Sequence, residues 1–113
     1  MNVSAVGPEL MLTFIEQTLQ PGPPVSLSCS SSANPAPRIV WKLEGAEIRG
    51  GGEDGYSLGS YTVAGYPSGV MVVSHLNISS ARVIHGGLYT CEASNGVGKP
   101  VSHSAALNIY GKL

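Results

Sequence analysis

A formal charge of −1 over 113 residues gives no electrostatic case for binding nucleic acid or an anionic membrane surface. The length suits a single domain that buries its own core, and no apolar run of about 18 residues is present to span a bilayer. Charged residues make up only 12% of the chain, against roughly 25% in an average globular protein, so its surface must be rich in Ser, Gly and apolar side chains, as where a surface is meant to be covered.

The chain opens "MNVSAVGPEL", without the basic start and apolar core of a secretory leader. Residues 1–6 read as a flanking segment, 7–111 as the domain and 112–113 as a C-terminal remnant, the whole being a piece of a longer protein. Turn signals then recur at short intervals: "QPGPP", "ANPAP", "LEGAE", "GGGEDG", "GYPSG", "IHGG" and "SNGVGKP". No segment between them keeps a helical period. Val25, Leu27 and Cys29 alternate with serines; Ile39, Trp41 and Leu43 alternate with Val40 and Lys42; Leu76 and Ile78 alternate with Asn77 and Ser79. Tyr89, Cys91 and Ala93 alternate with Thr90, Glu92 and Ser94, and Val101, His103, Ala105, Leu107 and Ile109 share one phase of the last strand. This pattern predicts an all-β sandwich of about seven or eight strands. Trp41, Leu76, Ile78 and Tyr89 fall in its core.

Residues 61–77, "YTVAGYPSGVMVVSHLN", leave no obvious face for water. With "GYPSG" as a five-residue connection, Ala64 faces Val70, Thr62 faces Val72, Leu58 faces Leu76 and Tyr56 faces Ile78, all on the inward phase. The other phase sets Tyr61 opposite Val73, Val63 opposite Met71 and Gly59 opposite His75. A one-residue slip would bury Asn77 and expose Leu76. Four apolar side chains then form a contiguous outer patch edged by His75. Single exposed apolar residues need no explanation, and a cross-strand Val–Tyr pair can serve stability alone. A cluster of four in a chain short of charge points to a protein-binding face.

The residues offer no chemistry. Asp54 is the sole aspartate, and His75, His85 and His103 show no metal-ligand spacing. "GGGEDG" lacks the Lys-Ser/Thr of a phosphate loop and reads as a flexible connector. No enzyme activity, metal or cofactor is expected. Cys29 and Cys91 stand too far apart for a CxxC motif, and their count alone leaves a bridge and two buried thiols open. Asn77-Ile78-Ser79 is an N-glycosylation sequon on the outward phase; Asn2-Val3-Ser4 is a second.

Cys29, Trp41 and "LNISSARVIHGGLYTC", with Leu76, Ile78, Gly87, Tyr89 and Cys91 in position, resemble an immunoglobulin domain. Tyr89 fits the tyrosine corner. The first strand is expected to split around "TLQPGPP", and the lack of a full C′–C″ pair suggests the I-set. His85 stands where the family usually has Asp, an acceptor for backbone amides, which a neutral His can partly replace. The resemblance implies a disulfide between Cys29 and Cys91 and hence a compartment outside the cytosol. "GPELMLTFIEQTLQPGPPVSLSC", "NPAPRIVWKLEG" and "SHLNISSARVIHGGLYTCEASNGVG" are similar to the Down syndrome cell adhesion molecule (Dscam) family, specifically its variable seventh domain in arthropods or the first domain of shortened chelicerate members.

That resemblance implies an extracellular domain of a cell-surface protein that recognises an identical copy of itself through an antiparallel A-B-E-D sheet. The contacts would be Tyr61, Val63, Met71, Val73 and His75. The partners are a second copy and neighbouring immunoglobulin or fibronectin domains of the parent chain, with no nucleic acid and no direct membrane contact. A heterophilic receptor domain and a spacer domain, including a cytosolic muscle-type one, are the competing readings. The sequon, the implied disulfide and the low charge oppose the cytosolic version.

Overall fold

The alternating segments pair into two sheets in the computed structural model, which describes residues 4–66 and 69–111. One sheet holds β1 (Val6–Leu12), β3 (Val25–Asn34), β7 (Gly69–Ile78) and β6 (Tyr56–Tyr66), in the order β1-β3-β7-β6. The other holds β2 (Gln17–Leu19), β9 (Val101–Ile109), β8 (Gly87–Ser94), β4 (Arg38–Leu43) and β5 (Ala46–Glu47), in the order β2-β9-β8-β4-β5. These are nine strands among the described residues, more than the alternation alone resolved, because β2 and β5 are too short to show a period. Asn2 and residues 112–113 lie outside the described residues.

The core forms where the inward phases meet. Leu27, Trp41, Leu76, Ile78, Tyr89 and Leu107 are all buried, and Cys29 and Cys91 are joined with their Cα atoms 6.6 Å apart. Closing a loop of 62 residues contributes roughly 4 kcal/mol in the chain-entropy model. Trp41 is the register partner of Cys91, and its indole N–H donates to Ser74 Oγ at 2.9 Å across the sheets. The largest side chain of the core thus has its one polar atom satisfied.

The first strand does divide, but earlier than expected. β1 pairs with β3 and β2 runs parallel to β9, so the chain changes sheets at residues 13–16 rather than at "TLQPGPP". Phe14 causes this: it is 6% exposed, lies 5.4 Å from the Trp41 ring and meets His103 edge-on at 5.1 Å. His103 Nε2 donates to the Phe14 carbonyl at 2.7 Å, which explains a polar residue on the inward phase of β9.

Below the core, Tyr89 and His85 tie three segments together. The Tyr89 hydroxyl donates to the His85 carbonyl, so Tyr56, 2.8 Å away, donates to Tyr89. His85, 1% exposed, ends a 3-10 turn (Val83–His85) and accepts the Arg82 amide on Nδ1 at 2.9 Å. Nε2 must then carry the proton, which it gives to the Asp54 carbonyl at 2.6 Å. A neutral imidazole does the acceptor work of the usual carboxylate and also pins the end of "GGGEDG", which is anchored there rather than free. Burial pushes the Tyr89 phenol well above its ordinary value, and the bond with Tyr56 adds to this. Tyr56 is raised too, chiefly by burial.

Candidate functional site

Opposed residues in a sheet share a face, so register assigns the outer side of the β1-β3-β7-β6 sheet. Tyr56 to Val63 pair with Ile78 to Met71 in the expected register, including Tyr61 with Val73, Val63 with Met71 and Gly59 with His75. Beyond Val63 the register shifts: Tyr66 pairs with Gly69, so Ala64 does not face Val70 and the strands continue further toward the turn than a five-residue connection allows. Residues 67–68 of "GYPSG" lie outside the described residues. Gly69 has φ +126°, and a Cβ there would collide with the Ala33 carbonyl, so glycine lets β7 start against the end of β3.

Combining the three strand pairings arranges the face in four rows. Nearest the hairpin end lie Glu9, Ser32, Met71 and Val63. The second row is Leu12, Ser30, Val73 and Tyr61. Ser28, His75 and Gly59 form the third, and Ser26, Asn77 and Ser57 the fourth. The first two rows are mostly apolar, the last two small and polar. Glu9 is the one charged residue in the rows.

Exposure separates the expected contacts. Tyr61 is 55% exposed, and its ring stacks on His75 with centroids 5.9 Å apart. Val63, Met71 and His75 are half-buried. Val73 points outward as expected but is only 5% exposed, so it supports the face more than it presents itself. His75 Nδ1 lies 2.8 Å from Ser28 Oγ, and Asn77 Oδ1 accepts from Ser26 Oγ at 2.7 Å. No carboxylate bonds the Ser28–His75 pair among the described residues, so it lacks the orienting acid of a catalytic triad. Nor do the described residues contain a metal-ligand cluster.

Sequence reasoning missed Leu12, 49% exposed, which pairs with Ser30 and extends the apolar half across β1 beside the equally exposed Met11. Irregular pairing between β1 and β3, shifting after Val6 and after Leu10, hides their face from period-two counting. The inward face of β6 also differs from expectation, since Leu58 is 43% exposed and Thr62 is exposed. With β5 only two residues long, the second sheet stops short of β6 and leaves a groove of about 520 Å³ lined by Ala36, Pro37, Ile39, Leu58, Thr62 and Val72. The outer side of the second sheet is of another kind: Lys42 and Glu92 pair there at 3.7 Å and Thr90 bonds Ser104.

The comparisons with known proteins agree with this geometry. The family model for the immunoglobulin domain matches residues 8–95. The chain belongs to the immunoglobulin-domain family. As an immunoglobulin domain it is homologous to those of the Dscam family: it is 50% identical to the cell adhesion molecule Dscam2 of Drosophila melanogaster and 38% identical to human DSCAM, each over 92% of the chain. It spans about 5% of the length of both relatives. A crystal structure of the N-terminal eight immunoglobulin domains of DSCAM isoform 1.30.30 superposes with a TM-score of 0.81 at 41% identity, covering 94% of this chain and 13% of that one. These relatives are named for cell adhesion, and catalysis is no part of that description.

Proposed function

We propose that this domain is a homophilic cell-adhesion module, in which two copies on apposed cell surfaces pair antiparallel through the outer faces of their β1-β3-β7-β6 sheets. The observation that carries the reading is the contrast between the two outer faces: one gathers Leu12, Tyr61, Val63, Met71 and Val73 in two adjacent rows with a single charge, the other is mostly polar and salt-bridged, with Leu88 its exposed apolar exception. A face with one charge can meet its own copy without like-charge repulsion, as a two-fold interface requires. The Dscam relatives, named as cell adhesion molecules, support an extracellular, cell-surface setting. Resemblance to the variable domains of that family supports isoform specificity, with Tyr61, Val63, Met71, Val73 and His75 as contacts and Met11 and Leu12 added to them.

The face measures about 19 Å across four strands and about 27 Å along four rows, so a pair of copies would cover roughly 1,000 Å². That is the low end for specific complexes. Micromolar self-association of the isolated domain is therefore expected, with adhesion strengthened by many copies on each surface. Analytical ultracentrifugation tests the reading; a strict monomer at high micromolar concentration refutes it. A heterophilic reading draws on the open groove beneath β6, which a foreign side chain or peptide could enter. Beads coated with this domain and with a relative separate the two: sorting of like with like supports self-recognition, and random mixing overturns it.

A further inference from the structure

We infer that Asn77 carries an N-linked glycan and that this glycan fixes the register of self-pairing, centring contact on the apolar half of the face. The inference rests on the self-pairing reading above and deepens it. Two independent features lead to it. The face is graded along its length, apolar toward the hairpin end and polar toward the other. The sequon Asn77-Ile78-Ser79 sits in the last polar row, one residue before β7 ends. Its neighbours across the sheet, Ser26 and Ser57, are small and exposed. Asn77 Oδ1 accepts from Ser26, which leaves the amide nitrogen, the atom a glycan would occupy, directed away from that bond.

Geometry then limits where a two-fold axis can pass. Asn77 lies six residues along β7 from Met71, about 20 Å at the usual rise of a strand. An axis through the middle of the whole face, between Val73 and His75, would carry each Asn77 onto the Met71 row of the other copy. A bulky, hydrated glycan cannot be accommodated there. An axis between Met71 and Val73 instead carries Asn77 about 13 Å past the partner's Met71 row, beyond Gly69 at the start of β7. The glycan then stands clear, and contact is centred on the two apolar rows, with the His75 row carried onto the partner's Gly69 row. Sugar placement and apolar grading select the same register. The glycan acts as a stop: it leaves the productive register open and closes the one that overlaps the full face.

The test uses the chain secreted from a eukaryotic host. Intact-mass and glycopeptide analysis should find Asn77 occupied, and an unoccupied Asn77 overturns the inference while leaving self-pairing untouched. Sedimentation should then find that Ser57→Lys, in the polar half, leaves the dissociation constant of the glycosylated domain within about threefold but weakens Asn77→Gln, in which the full-face register is open, by more than about tenfold. A charge at Met71 abolishes association in both backgrounds. A loss of more than about tenfold from Ser57→Lys in the glycosylated domain places the polar half inside the contact and overturns the register, and equal insensitivity to Ser57→Lys in both backgrounds overturns the role of the glycan as a stop. If both glycoforms remain monomeric, the self-pairing reading itself fails and the register falls with it, a result distinct from the occupancy measurement.

Discussion

Met71→Asp is the perturbation that most directly separates a recognition face from ordinary surface. Met71 stands in the row of Glu9, Ser32 and Val63 and is half-buried in the isolated domain. Full burial of a methionine is worth about 1.5–3 kcal/mol, so the half still available for pairing contributes roughly 1 kcal/mol per copy and about 2 kcal/mol across a two-fold axis. The introduced carboxylates add a desolvation cost of about 1 kcal/mol or more each, in a row that already holds Glu9. The total of roughly 4 kcal/mol weakens association about a thousandfold. Sedimentation velocity at high micromolar concentration should therefore show only monomer. Because the side chain points out of the core, circular dichroism and the melting midpoint should stay near the parent values, the change in stability remaining within about 1 kcal/mol. A dimer whose affinity stays within about tenfold of the parent would falsify the assignment of this face.

The remaining predictions concern the core and pH. Tyr89→Phe removes the donor to the His85 carbonyl and the acceptor for Tyr56, so chemical denaturation should show a loss of about 1–3 kcal/mol; a change under about 0.5 kcal/mol refutes the role given to that bond. Both phenols are raised in the folded state, so folding favours their protonated forms. Stability is then fully present below the unfolded phenol value of 10.0 and is lost as pH rises through it, and a denaturation series with Tyr89→Phe should flatten that alkaline slope. Phe14→Ala should cost about 3 kcal/mol, because the ring packs on Trp41 and His103; an equilibrium loss below about 1 kcal/mol would mean that Phe14 does not hold the sheet crossover.

Much of the architecture is legible in the sequence where one residue's face follows from the next. Leu27 and Cys29, or Tyr89 and Cys91, alternate with polar partners because one side of each strand is buried, and Leu76 with Ile78 pins the register of the whole hairpin. The outer placement of Tyr61, Val63, Met71 and His75 follows from that register alone. What sequence could not show depends on contacts between distant segments. Nothing in "MLTFIEQ" marks a break, since the break is made by Trp41 and His103 drawing Phe14 inward. Leu58 keeps the right phase yet meets solvent because β5 ends after two residues. Val73 keeps the outward phase yet is almost fully buried, which a count along its own strand cannot show. Met11 and Leu12 escape because an irregular pairing rotates them out of a simple count.

The crossover at Phe14 also has a mechanical side. Val6 lies beside Asn95, whose amide bonds its carbonyl, while Tyr110 lies at the far end, bonded to Leu19, so the chain enters and leaves at opposite ends of a domain 62 Å long. β2 runs parallel to β9, with Gln17, Thr18 and Leu19 matched to Leu107, Asn108 and Ile109. Pulling the two ends apart drags these strands in opposite directions, so their hydrogen bonds are loaded together in shear instead of being opened one at a time. Under an end-to-end load, the short β2 strand would act as a latch that lets the domain bear force.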